Sequence, residues 1–85
     1  MSGYKEKFIG IDFRGTGSNI KRLRLQNGIS ISDLCEIIGV SDQAFYSWQR
    51  GDKLPCLDHL VILARILDST LDEIVAIREP QEPER

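Results

Sequence analysis

The feature that most limits how this chain can fold is the stretch Ser30–Gly51, SISDLCEIIGVSDQAFYSWQRG, in which two short amphipathic patterns are separated only by Gly39-Val40-Ser41. Apolar residues fall at Ile31, Leu34, Cys35 and Ile38, then at Val40, then at Phe45 and Trp48. At about 100° per residue each set forms one stripe on a helix. Both patterns carry a start signal. Ser30 precedes a first turn that ends in Asp33, a weak capping box, and Ser41 stands in the same relation to the second pattern. Gly39 sits where the chain must turn sharply, and glycine adopts such backbone without a Cβ clash. The expectation is two helices that meet at a tight corner and share a core.

That shape is a helix-turn-helix. The ordered set Leu34-Cys35, Gly39-Val40-Ser41, Phe45 and Trp48-Gln49-Arg50-Gly51, with the further run Leu54-Pro55 to Leu60, resembles the phage-repressor-like (XRE, or Cro/repressor type) helix-turn-helix family, in particular its small stand-alone members. The resemblance extends from about Gly17 to Ala76. It implies an all-α fold: a compact five-helix, lambda-repressor-like domain over residues 17–77 with a central helix-turn-helix. Before it, residues 1–16 read as a short extended arm. After it, residues 78–85 are acidic and proline-interrupted, a composition expected to be disordered.

Taken in order, Ile9, Ile11 and Phe13 alternate on one face between glycines. A lone strand needs a partner, so this segment is either a dimer contact, an arm along DNA using Lys5, Lys7 and Arg14, or an extended piece packed on the helices. Ser18 is expected to open a helix to about Asn27, stopped by Gly28, with Lys21, Arg22 and Arg24 crowding it. Cys56 occupies the N-cap position of a helix from about Leu57 to Leu67 that is apolar on nearly every side, hence central to the core. Asp68 follows it where the resembled family commonly has glycine. Thr70-Leu71-Asp72-Glu73 is a capping box that starts a last helix to about Ala76.

The formal net charge is −2, which is not the footprint of a typical nucleic-acid binder. Its distribution is uneven: residues 1–53 hold eight basic and six acidic side chains, and residues 54–85 hold three and seven. The positive half contains the motif. No apolar run approaches the roughly 20 residues that a membrane span needs, and no signal-peptide core is visible, so the cytoplasm is the expected location and no membrane partner is expected. Cys35 and Cys56 have neither zinc nor disulfide-framework spacing and read as reduced, structural residues.

An α-helix fits the DNA major groove, where each base pair shows its own pattern of donors, acceptors and methyl groups. The second motif helix offers Phe45 and Trp48 as anchors, and Asp42, Gln43, Tyr46 and Ser47 as projecting groups. By the resemblance, Asp42, Gln43 and Ser47 hold the base-contacting positions, with Tyr46 beside them. Gln43 leads, because an amide presents a donor and an acceptor together to adenine. Asp42 either accepts from cytosine or caps its helix and reads nothing. Phosphate contacts are expected from Ser30, Ser32 and Ser41 at the helix starts, from Arg50 and Lys53 past the second helix, and from Lys21 and Arg22, whose plain alternative is a solvated face. The resemblance also pairs Arg24 with position 49, where this chain has Gln49, so a hydrogen bond must replace an ion pair. It places a glutamine where this chain has Ile31.

The function implied is sequence-specific binding of double-stranded DNA by a transcription regulator, most simply a repressor acting as a homodimer on two half-sites about 34 Å apart. The rival is a protein-interaction module, antitoxin-like or an anti-regulator, with weak or lost DNA binding and a regulatory protein as its partner; Asp42, Ile31 and the acidic balance favour it. An enzyme finds little support. His59 is the only histidine, no phosphate loop or dinucleotide fingerprint occurs, and no cofactor, metal or small-molecule substrate is expected.

Overall fold

The computed structural model describes residues 10–78. Five helices occupy them: α1 Phe13–Gln26, α2 Ile31–Ile38, α3 Asp42–Arg50, α4 Leu57–Ile66 and α5 Leu71–Ile74. The domain is all-α, as expected. The packing order explains why so short a chain has one core. α1 lies against α3 and α5, α2 against α3 and α4, and α4 against α5. Each helix therefore contributes its apolar stripe to a single cluster, with Ile20, Leu34, Phe45, Leu63, Leu67 and Ile74 almost completely excluded from solvent.

Serine and threonine caps set most helix starts. The hydroxyls of Ser30, Ser41 and Thr70 accept from the backbone N–H of Asp33, Ala44 and Glu73, at 3.0, 3.1 and 3.2 Å. At Thr70 the box is reciprocal, because the Glu73 carboxylate accepts from the Thr70 N–H at 3.2 Å. Cys56 opens α4 without a side-chain bond of this kind. Gly39 and Gly51 end α2 and α3 in left-handed backbone, both at φ 84. Asp68 takes a left-handed position at φ 52, where the resembled family commonly places glycine.

α1 starts five residues before the expected Ser18, so residues 13–16 are helical and not part of an arm. Asp12 is the cap, its carboxylate accepting from the Gly15 N–H at 3.0 Å. The glycines that look like breakers in the sequence lie inside this helix: Gly15 faces Ala76, and Gly17 touches the end of α3. α5 stops at Ile74, short of the expected Ala76, because the chain there is captured by the start of α1. The Ala76 N–H donates to the Thr16 hydroxyl at 2.9 Å, and the Asp12 N–H donates to the Ala76 carbonyl at 2.8 Å. Ile11 and Ile77 form an antiparallel bridge, and the Arg78 N–H donates to Gly10 at 3.1 Å. The extended piece around Ile11 thus finds its partner inside the chain. The expectations for Lys5, Lys7 and Ile9, and for a disordered tail beyond residue 78, lie outside the described residues.

Candidate nucleic-acid interface

The corner between α2 and α3 is built from backbone bonds. The N–H groups of Gly39 and Val40 both donate to the Cys35 carbonyl, at 2.8 and 3.1 Å, and the Cys35 thiol donates to the Ser41 carbonyl at 3.7 Å. Burial pushes the Cys35 thiol up to about 11, and the nearby Asp42 carboxylate adds to this. Asp42 is exposed at the start of α3. Ser41, not Asp42, caps the helix.

α3 is held from beneath by aromatic contacts. Phe45 and Trp48 are buried with ring centroids 5.7 Å apart and a 58° tilt, and Trp48 meets His59 of α4 at 5.6 Å and 43°. His59 is half-buried there as a packing partner. On the opposite side, Gln43, Tyr46, Ser47 and Arg50 follow at helical spacing and form one outward stripe. Gln43 and Arg50 are exposed, and Tyr46 is 45% exposed. Ser47 is half-buried, and its hydroxyl donates to the Ala44 carbonyl at 2.6 Å, which leaves it an acceptor toward solvent.

The serines at the helix starts use their oxygens as caps and keep their O–H groups for another acceptor; Ser32 is exposed beside them. Ile31 packs on the core, so the first turn of α2 gives up a polar contact to gain apolar burial. Past α3, the Gly51 and Asp52 N–H groups return to the Trp48 and Ser47 carbonyls at 3.1 and 2.9 Å, a closed helix end that fixes the following loop. Lys53 is exposed in that loop, and Arg50 Nε donates to Asp52 Oδ2 at 2.9 Å.

α1 supplies the flank. Arg24 Nε donates to Gln49 Oε1 at 3.2 Å and Arg24 Nη1 to the Ile29 carbonyl at 2.9 Å, tying α1 to α3 and to the loop before α2. Arg14, Gly17, Lys21 and Arg24 recur at spacings of three and four and so share one side of α1, the side that meets α3. Arg14 packs directly over Gly51. Arg22 stands elsewhere: it donates to Asn19 at 3.4 Å, and Asn19 donates to the Ile74 carbonyl of α5 at 3.1 Å. The structure thus separates Lys21 from Arg22, and it gathers Arg14 beside the loop of Arg50 and Lys53. The arm expected over residues 1–16 included Arg14, which stands instead in the first turn of α1 behind the Asp12 cap. Among the described residues no group of histidine, cysteine or acidic side chains is arranged to hold a metal.

Residues 20–74 match the family model described as Helix-turn-helix (HTH_3). The chain is 31% identical over 64 residues to the "Uncharacterized HTH-type transcriptional regulator YobD" of Bacillus subtilis, an alignment covering 75% of this chain and 57% of YobD. It is 31% identical over 68 residues to the "Putative HTH-type transcriptional regulatory protein TK0539" of Thermococcus kodakarensis, covering 80% of this chain and 21% of that protein. The chain therefore spans about half the length of the first relative and a fifth of the second. Among solved structures, the restriction-modification controller protein C.AhdI of Aeromonas hydrophila superposes with a TM-score of 0.67 at 25% identity, over 74% of this chain and 96% of that one. SinR, a master regulator for biofilm formation solved in complex with DNA, superposes with a TM-score of 0.61 at 29% identity, over 67% of this chain and 95% of that one. About a third of the Fe(II)-HppE chain shares the fold alone, at 20% identity. With a family model matched over residues 20–74, most of its helical core, this chain belongs to the XRE-type helix-turn-helix family.

Proposed function

We propose that the chain binds double-stranded DNA sequence-specifically by laying α3 in the major groove, and that it represses transcription by occluding its site. The observation that carries this reading is the two-sidedness of α3: Phe45 and Trp48 fix the helix from within while Gln43, Tyr46 and Arg50 project from its capped, exposed side. A rigid helix with short polar groups near its N-terminus is what base readout requires. Gln43 reads adenine, with Tyr46 and Ser47 beside it. Asp42, at the corner, either accepts from a cytosine amino group or excludes other bases by its charge. Ser30, Ser32, Ser41, Arg50, Lys53 and Lys21 contact phosphates and set the register, with Arg22 at the margin. One domain of this size buries too little DNA for high selectivity, so a homodimer on paired half-sites in the cytoplasm completes the reading.

The test is repeated selection of binding sites from random duplex DNA at two salt concentrations, with Gln43→Ala and Arg50→Ala in parallel. The reading expects a palindromic site whose preference relaxes in Gln43→Ala at one position of each half-site, and binding that weakens on every sequence in Arg50→Ala. If no site is enriched and residual binding vanishes at moderate salt, the reading fails. The second reading, a module for binding a regulatory protein, is favoured by Asp42 and Ile31 in the motif and by the formal net charge of −2, and a salt-insensitive protein complex would support it.

A further inference from the structure

We infer that Asp52 is an internal competitor of DNA phosphate for Arg50, so that this chain carries a built-in brake on its DNA affinity. The inference rests on the proposed DNA-facing reading of α3 and its following loop. Two independent features place the carboxylate. The Asp52 N–H is bound to the Ser47 carbonyl at 2.9 Å in the closed end of α3, which fixes the backbone of Asp52 one residue beyond Gly51. From there its side chain reaches back to Arg50 Nε at 2.9 Å. The pair is not a core support, because its side chains are 60% and 58% exposed.

The consequence follows from charge. Affinity for the DNA backbone comes from cations that replace condensed counterions, and an arginine already neutralised by a neighbouring carboxylate releases less. Arg50, Asp52 and Lys53 thus present one net positive charge at the end of α3 in place of two. An exposed ion pair is weak, so phosphate opens it readily and the brake is mild rather than a block.

The experiment is a double-mutant cycle on binding to a short labelled duplex of mixed sequence, using wild type, Asp52→Asn, Arg50→Ala and the double variant across a salt series. Asp72→Asn, an equal loss of charge on α5, which packs on α1 and α4, controls for overall charge. Asp52→Asn is expected to tighten binding about two- to fivefold and to steepen the dependence on salt, and this gain is expected to shrink to that of Asp72→Asn once Arg50 is alanine. A gain no larger than the control, a gain that survives Arg50→Ala, or weaker binding by Asp52→Asn would each overturn the inference; the last would make Asp52 a group that positions Arg50. A wild type that does not bind, or whose binding is indifferent to Arg50→Ala, brings down the DNA-facing reading itself, and the brake with it.

Discussion

Gly17 of α1 and Trp48 of α3 meet so closely that a Cβ on Gly17 would stand 2.4 Å from the Trp48 carbonyl oxygen and 2.5 Å from that of Gln49. Both obstacles are backbone atoms of the last turn of the candidate recognition helix, so neither can rotate away. This contact sets how near α1 lies to α3, and with it the reach of Arg24 to Gln49.

Gly17→Ala is therefore expected to destabilise the fold although alanine is the better helix former. Intrinsic propensity returns about 1 kcal/mol, and forcing a methyl group against rigid backbone costs roughly 3 kcal/mol. The net loss of about 2 kcal/mol lowers Tm by about 10 °C in a domain of this size. Thermal unfolding followed by circular dichroism checks it, with Gly39→Ala as comparison: Gly39 has open space around it, so its variant suffers only the left-handed strain of about 1 kcal/mol. An unchanged Tm for Gly17→Ala would show that the helices can separate freely.

The bond between Arg24 and Gln49, at 3.2 Å, joins a cation to a neutral amide. Gln49→Glu converts it to a half-buried ion pair of similar shape, and a gain of about 0.5 kcal/mol is expected at neutral pH. The sign with pH is fixed by linkage. The arginine lowers the folded pKa of the new carboxyl below its ordinary value near 4.3, so the gain is present above that value and is lost as pH falls through the folded pKa. Melting curves of variant and wild type at neutral and acid pH test this; a gain that persists in acid would assign it to something other than the pair.

The two thiols should behave as unlike groups. Cys56 is exposed and Cys35 is buried beneath the α2–α3 corner. A thiol reagent at neutral pH is expected to modify one thiol quickly and the second only as the fold opens, with both reacting at once in denaturant. Because the folded pKa of Cys35 is raised from 9.0 to about 11, the protonated thiol favours the fold; its contribution is complete below pH 9 and is lost as pH rises toward 11. Cys35→Ala should flatten that part of the stability profile relative to wild type, and an equal decline in both would discount the thiol.

What was legible in the sequence is what local chemistry decides. Ser30, Ser41 and Thr70 announce their helices because a cap is satisfied within three residues, and Gly39 and Gly51 mark corners because no other residue takes that backbone as cheaply. The start of α1 was not legible, since Gly15 and Gly17 look like breakers until Ala76 and the end of α3 are seen pressing on them. The end of α5 was hidden for the same reason: its last residues are captured by Thr16 and Asp12, some sixty residues away in the chain. At the candidate site the exposed stripe of α3 could be read from spacing. The pairing of Arg50 with Asp52 could not, because it depends on the turn the backbone takes at Gly51, nor could the parting of Lys21 from Arg22, which depends on the helices that pack against α1.

That last separation yields a prediction about phosphate contacts. Lys21 shares the side of α1 that carries Gly17 and Arg24 against α3, whereas Arg22 leans on Asn19 beside α5. If α3 enters the groove, the α3 side of α1 faces the DNA backbone and the α5 side looks away from it. Lys21→Ala should then weaken binding on every sequence alike and lower the salt slope by about one ion, while Arg22→Ala changes both by much less. Both residues are exposed, so neither substitution threatens the fold, and salt-series titrations on one duplex compare them directly. Equal losses would mean that α1 lies lengthwise along the backbone and not edge-on. A larger loss for Arg22 would place the DNA on the α5 side and remove α3 from the groove.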